Sequence, residues 1–437
     1  MAPVSLIDLL RSTTPERQAS ARLHVALSGG LDSTVLLHAL VRAGFRNLVA
    51  VHVHHGLQAA ADDWVLHCES ICREWGVPLR VCRVEVRPDG KGVEAAAREA
   101  RYAALRSDLQ SGELIVTAHH QDDQAETVLL NLMRGSGPAG LSAMAPLRGF
   151  GKGQLWRPLL GTPRETLRAY AEQHRLAWIE DPHNRDGRFA RSFLRGEILP
   201  RLVQRWPELG DNLARAASLA SESTQLLREF ADADIANLSD PCDGSLPVTE
   251  LLGLSAPRRR NIVRAWVLGQ ALPVPGHETL EHLDRDVLRA AQDAAPVLAW
   301  SGGEFRRHGG RLYAMSALPP VPDDFHAQWD GRSDLALPDG CGALQATPIG
   351  PAQGSAWTVR LARPADRFKP AGSPRTRTLK NLFQEGRVPT WVRERTPLIA
   401  DAARPVWIGG FGWAADQTAG SVIIEWRHRP AGAPARS

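Results

Sequence analysis

The chain has 437 residues and 47.7 kDa, enough for two or three domains. With 43% hydrophobic and 23% charged residues, a net charge of +4, a pI near 9.0 and no run of 18 apolar residues, it reads as globular, neither disordered nor membrane-spanning. Cys68, Cys72, Cys82, Cys242 and Cys341 form no C-x2-C pair, which excludes a disulfide framework and a structural zinc site.

The opening stretch, MAPVSLIDLLRSTTPERQAS, lacks the basic-then-apolar build of a signal peptide, so the expectation is a cytoplasmic protein with no membrane partner. Up to about residue 200 apolar runs alternate with helical segments. RLHVALS precedes DSTVLLHALVRAG, NLVAVHVHHG precedes DDWVLHCESICREWG, PLRVCRVEV precedes VEAAAREARYAALRSDL, and ELIVTAHH precedes DDQAETVLLNLMRG. This pattern predicts an α/β domain, a doubly wound parallel sheet with helices on both faces and ligands at the strand ends. Residues 210–300 turn helical, residues 317–356 are rich in Pro, Gly and Asp, and the last 80 mix short strands with a basic segment. The predicted division is a catalytic domain over 1–210, a mainly helical domain over 211–335 and a small α+β domain over 355–437.

Ser28, Gly29, Gly30, Leu31, Asp32 and Ser33 follow the first apolar run. Two glycines allow a sharp turn whose N–H groups, with the start of the next helix, suit a phosphate. The stretch is neither a Walker loop nor the dinucleotide G-x-G-x-x-G. A plain strand–helix turn capped by Asp32 or Ser33 is the bland alternative. In TAHHQDDQAET the strand is expected to end at His119 and His120, with Asp122 and Asp123 opening a helix and Glu126 one turn on. Asp123 and Glu126 also have capping-box spacing. In VEAAAREARY, Glu94, Arg98 and Arg101 share one helix face, as either a surface ion-pair ladder or arginines that reach phosphate. His54, His55 and Gly56 end the second strand, where backbone contact with a nucleotide is the reading preferred over a metal pair. Gly135, Gly137 and Gly140, with Arg134 and Arg157 nearby, predict a flexible loop beside the site.

Lysine occurs only at positions 91, 152, 369 and 380, so 48 of the 52 basic residues are arginine. Arginine and the 13 tryptophans permit RNA binding, although a GC-rich genome would also enrich arginine.

The S-G-G-x-D-S loop resembles that of the PP-loop ATP pyrophosphatases, which implies an adenine nucleotide α-hydrolase-like domain that cleaves ATP between its α and β phosphates. SGGLDS, HHGL, EAAAREARY, TAHHQDDQAET, RGSGPAGLSAM, RPLL, WIEDPHN and RSFLRGEILPRL, with RFKP and LKNLFQEGRVPTWVRERTPL near the end, together resemble the bacterial tRNA(Ile)-lysidine synthases over nearly the whole chain. Ser192 departs, standing where that family usually has asparagine.

The resemblance implies a ligase that attaches L-lysine to C2 of the first anticodon cytidine of tRNA(Ile) with a CAU anticodon, through an adenylated cytidine. It implies ATP and Mg²⁺, with tRNA, lysine and ATP as partners, and it allows a homodimer. Carried onto this chain, it makes Asp32, Asp123, Glu126 and Arg98 catalytic. Ser28, Gly29, Gly30, Leu31, Asp32, Ser33, His55, Gly56 and His119 would bind the nucleotide, and Asp32 and Asp122 would hold the metal. Arg258, Arg259, Arg260, Arg264, Lys369, Arg375, Arg377 and Lys380 would meet tRNA phosphates. The alternative within the same loop class is a tRNA thiolase, which would need reactive cysteines.

Overall fold

A computed structural model describes residues 5–15, 21–56, 61–86, 93–107, 109–180, 190–291, 294–322, 324–348, 357–416 and 422–434. Two compact units divide the chain, Met1–Gln225 and Leu226–Ser437.

The first unit is built on strands β1 (Leu23–Ala26), β2 (Leu48–His54), β3 (Leu79–Arg83), β4 (Leu114–Val116), β5 (Leu147–Phe150) and β6 (Gly153–Trp156). They form one sheet in the order β3-β2-β1-β4-β6-β5, parallel except for the antiparallel edge strand β5. Each strand alternates between two cores, as a two-residue side-chain period requires. Leu114 and Val116 of β4 face a cluster with Val35, Leu36, Leu37 and Leu40, whereas Ile115 faces Val51, Leu105, Phe150 and Leu155. Both faces are therefore covered, as the near-continuous apolar strands predict.

Helices α1 (Leu6–Ser12), α2 (Leu31–Arg42), α3 (Ala61–Glu74), α4 (Val93–Ser107), α5 (Gln121–Met133), α6 (Pro138–Leu141) and α7 (Arg164–Gln173) surround the sheet. Within α4 the side chains of residues 93–95, Glu94 among them, lie outside the described residues. Helix α2 is apolar almost all round, with Leu31, Val35, Leu36, Leu37, Ala39 and Leu40 buried. It stops at Gly44, whose φ of +88° lets the chain leave in the left-handed conformation. Truncating Leu36 or Leu37 to Ala would cost about 2–5 kcal/mol. Helix α8 (Ala190–Phe193) runs through a π-helical turn (Leu194–Ile198) into α9 (Leu199–Arg205), then α10 (Leu209–Leu238).

The chain runs from β1 outward to β3, then returns to place β4 on the other side of β1. The crevice between β1 and β4 is thus a topological switch point, the place where such sheets bind ligands.

Two differences from the sequence expectation arise in this unit. Strand β4 ends at Val116, three residues before His119, because residues 117–120 already form the turn into α5. The stretch expected to be a flexible loop carries α6, and Asn131 Nδ2 donates to Gly140 O at 2.7 Å while Gln124 exchanges two hydrogen bonds with the Met144 backbone.

The second unit contains the predicted helices, including Ala256–Gly269, packed through Ile262, Val263 and Val267 against Phe305 and Leu312. Those last two lie on a four-stranded antiparallel sheet (residues 246–247, 297–300, 303–308 and 311–315) that the helical pattern did not reveal. Beyond residue 325 a five-stranded and a three-stranded antiparallel sheet share a core with Phe368, Phe383, Trp391 and Trp407.

Candidate active site

The glycine loop joins β1 to α2. Gly29 has φ +83°, and a Cβ there would lie 2.9 Å from Ile179 Cδ1 and 3.2 Å from Cys68 Sγ, so both conformation and space require glycine. The loop is pinned from outside by Ile179, whose N–H donates to Gly29 O at 2.9 Å. From inside, Ser33 Oγ accepts from the Ser28 N–H at 3.2 Å and donates to Gly30 O at 3.1 Å. Ser33 therefore shapes the loop. Leu31 is buried in the core, so only its backbone faces the crevice.

Gly30 is the N-cap of α2, and no side chain caps the helix. Neither Asp32 nor Ser33 takes the cap position that the bland reading gave them. An uncapped helix start presents free N–H groups and a partial positive charge, which suits an anion.

Asp32 stands one residue into the helix. Its Oδ2 lies 3.7 Å from His120 Nε2 and its Oδ1 lies 3.5 Å from Arg164 Nε. Burial pushes its carboxyl upward, but the nearby His120 and the charge of Arg164 outweigh burial and hold it below the usual carboxylate value. Burial pushes the His120 imidazole down, but Asp32, Asp123 and Asp122 around it outweigh burial and raise its pKa above the ordinary value.

Helix α5 carries the second part. Its capping box runs from His120 to Asp123, whose Oδ2 accepts the His120 backbone N–H at 3.1 Å; it does not run from Asp123 to Glu126. Glu126 lies one turn on with its side chain fully buried. Arg195 makes a bidentate pair with it, Nε to Oε1 at 2.6 Å and Nη2 to Oε2 at 3.0 Å, and Nη2 also reaches Asp123 Oδ1 at 3.0 Å. Arg191 Nε adds a contact to Glu126 Oε2 at 3.0 Å. Asp122 is half exposed, and its Oδ1 accepts from the backbone N–H of Arg164 at 3.2 Å. Asp122, Glu126, Arg164 and Arg195 line one cavity of about 480 Å³ with Leu199, Pro200, Val203 and Gln204 of α9.

A cationic group flanks these acids. Burial first, then Arg157, Arg98 and Arg101 against the pull of Asp123, pushes His119 down to about 3, so it is neutral; its Nδ1 lies 2.8 Å from Thr117 Oγ1. Burial, Arg101 and the neighbouring histidines also lower His55, at the end of β2 beside Gly56. Arg98 is exposed and rests 5.0 Å over the Tyr102 ring.

Among the described residues no group of three or more His, Cys, Asp and Glu is arranged to hold a metal alone. Mg²⁺ needs only one or two carboxylates when substrate phosphates supply the rest. Asp32 fits that role: it is ionised, and its buried Oδ1 accepts no hydrogen bond.

The model of the PP-loop domain family matches residues 6–202, that of the TilS substrate binding domain matches 246–313, and that of the TilS substrate C-terminal domain matches 357–426. A tRNA(Ile)-lysidine synthase of Alkalilimnicola ehrlichii is 46% identical over 93% of this chain and 94% of its own length. The chain belongs to the tRNA(Ile)-lysidine synthase family. Relatives of the same name from Xanthomonas campestris and Escherichia coli O157:H7 are 43% and 42% identical, over 92% and 87% of this chain and 92% and 90% of their own lengths. Membership in this family of ligases implies use of ATP.

The tRNA thiolase alternative called for reactive cysteines. Cys68 and Cys72 sit in the core, where burial pushes their thiols up to about 12 and about 11. In the second unit, Arg259 is also not available to tRNA. It is 4% exposed, pairs Nε and Nη2 with Asp284 at 2.7 Å, and donates from Nη1 to Leu251 O and Leu254 O. Arg258 is exposed but pairs with Asp234, and Arg377 pairs with Glu385. Arg260, Lys369, Arg375 and Lys380 lie at or near the surface.

Sequence reasoning missed Arg164, Arg191 and Arg195. The stretch RSFLRGEILPRL contains Arg191 and Arg195 but does not say what they pair with, and only the packing of α7, α8 and the π-helical turn brings the three to Asp32 and Glu126. Trp178 and Ile179 approach the glycine loop, whereas residues 181–184 of WIEDPHN lie outside the described residues.

Proposed function

We propose that this protein joins L-lysine to C2 of the first anticodon cytidine of tRNA(Ile) bearing a CAU anticodon, using ATP. One observation carries the reading beyond family membership. The uncapped loop with ionised Asp32 lies beside a cavity lined by Asp122 and Glu126 together with Arg164 and Arg195, which supports an anion site next to one whose carboxylates could meet an amine.

In the first step cytosine O2 attacks the α-phosphorus of ATP, the α–β anhydride bond breaks, and pyrophosphate leaves. In the second the lysine ε-amine attacks C2, the C2–O2 bond breaks, and AMP leaves with the oxygen. The exchange turns a poor leaving group into a good one. The glycine loop and the start of α2 would bind the departing pyrophosphate. Asp123 and Glu126 would hold the lysine ammonium and accept its proton, a necessary loss for a group whose free pKa is about 10.4. His119, kept neutral, and His55 would meet the nucleotide, and Arg98 would face its phosphates. Asp32 with Asp122 would hold Mg²⁺, which when bound neutralises phosphate charge.

The three-part division at 1–210, 211–335 and 355–437 belongs to this reading, with the later parts binding tRNA away from the anticodon. The homodimer that the sequence allows is tested by sedimentation velocity. The reaction is tested by incubating the protein with ATP, Mg²⁺, labelled lysine and CAU-anticodon tRNA(Ile). Label is expected in that RNA and not in methionine tRNA; no label in either would sink the proposal.

A further inference from the structure

Helix α9 forms one wall of the acid-floored cavity through Leu199, Pro200, Val203 and Gln204. Immediately after its last turn stands Trp206, 54% exposed. The residue is held firmly although its ring is open to water. Its N–H donates to Leu202 O at 2.7 Å, and its own carbonyl accepts from Leu209 N–H at 3.0 Å. The Arg205 guanidinium lies 5.8 Å from the indole centroid. Helix α9 also carries exposed Arg201, whose Nη2 lies 3.7 Å from exposed Glu197 Oε2, a loose surface pair that phosphate can displace.

An exposed indole with arginines beside it, just past the end of a helix that lines a cavity, has the composition of a platform for single-stranded nucleic acid. The ring stacks on a base and the cations meet phosphate. A protein partner fits less well, because around Trp206 the helix end is basic, with Arg201 and Arg205, and the cores of stable protein interfaces are depleted of charge. A target cytidine must also be splayed out of the anticodon loop to reach the cavity, which strips its neighbour of a stacking partner. An exposed indole two residues beyond the cavity-lining Gln204 offers a replacement for that partner.

We propose that Trp206 stacks on the unpaired anticodon-loop nucleotide next to the cytidine that enters the cavity, with Arg201 and Arg205 meeting the adjoining phosphates. This rests on the reaction proposed above. The contact positions the loop and does not read its sequence, since every base offers a π face.

The test measures binding of labelled CAU-anticodon tRNA(Ile) to the full chain and to Trp206→Ala, Trp206→Phe and Trp206→Leu. Trp206→Ala is expected to raise Kd about tenfold. Phe should restore most of the loss and Leu should not, with ATP affinity and melting temperature unchanged in all three. An abasic nucleotide on one side of the target cytidine should weaken wild type as much as Trp206→Ala does, and the two changes should not add. A Kd for Trp206→Ala within twofold of wild type overturns the proposal, as does rescue by Leu equal to that by Phe, or additivity at both flanking nucleotides. A wild type that binds the tRNA but makes no lysidine sinks the reaction while the Kd series still decides the stacking. A wild type that does not bind this tRNA sinks both.

Discussion

Arg195 grips Glu126 across 69 residues of sequence, two parallel N–H···O bonds of 2.6 and 3.0 Å closing on a carboxylate with no exposed surface. Burial, aided by the Asp123 charge, pushes the Glu126 carboxyl up, and the two arginines only partly oppose it, so its pKa stays above the usual value. The pair is the counter-charge that lets an acid stand inside the domain.

Arg195→Met would leave that acid with Arg191 alone. The expected loss is about 3 kcal/mol of stability, the low end of the range for breaking a buried pair because Arg195 is itself about one-third exposed. Adding Glu126→Gln should restore most of the melting temperature without restoring lysidine formation. Recovery of activity in the double variant would remove Glu126 from the chemistry.

Asp32 is ionised, with a buried oxygen that accepts no hydrogen bond. Asp32→Ala is expected to abolish transfer of labelled lysine and to leave tRNA affinity within about twofold of wild type. If tRNA binding collapses with activity, Asp32 is a structural residue.

His38 of α2 places Nδ1 3.0 Å from the Tyr170 hydroxyl of α7, tying together the two helices whose first turns carry Asp32 and Arg164. Burial, His174 and Arg42 lower its pKa from 6.5 to about 4. A histidine with a depressed folded pKa contributes stability that is fully present above 6.5 and is lost as pH falls through about 4, because the unfolded chain binds the proton first. The melting temperature should therefore fall more steeply over that window in wild type than in His38→Asn, which cannot titrate. Parallel curves would show that His38 does not govern acid lability.

Thiols held at about 12 and about 11 supply almost no thiolate at neutral pH, so Cys68 and Cys72 should resist alkylation in the native protein while exposed Cys242 reacts. Alanine at Cys68, Cys72 and Cys82 should leave labelled-lysine transfer largely intact. Loss of base modification with ATP binding retained would instead favour thiolation.

Contiguous features were legible in the sequence because a few neighbouring residues determine them. SGGLDS reads as a strand–turn–helix since Gly29 must take a positive φ and α2 must be apolar all round. TAHHQDDQAET reads as a helix start rich in acids, and alternating strands and helices are enough to imply a parallel sheet with its site at the strand ends. The reading faltered by a few residues where turn and strand compete, so β4 is shorter and the capping box lies three positions earlier than the spacing suggests. It also missed the four-stranded sheet between the helices of the second unit, whose short strands carry no long period.

What only the tertiary structure decided is which charges meet. Arg164 reaches Asp32 from 132 residues away, Arg195 reaches Glu126 from 69, and Arg259 commits Nε and Nη2 to Asp284 instead of meeting phosphate. A guanidinium looks the same in sequence whether it is free or paired. Its role depends on burial and on the nearest carboxylate, and both are set by how distant helices pack.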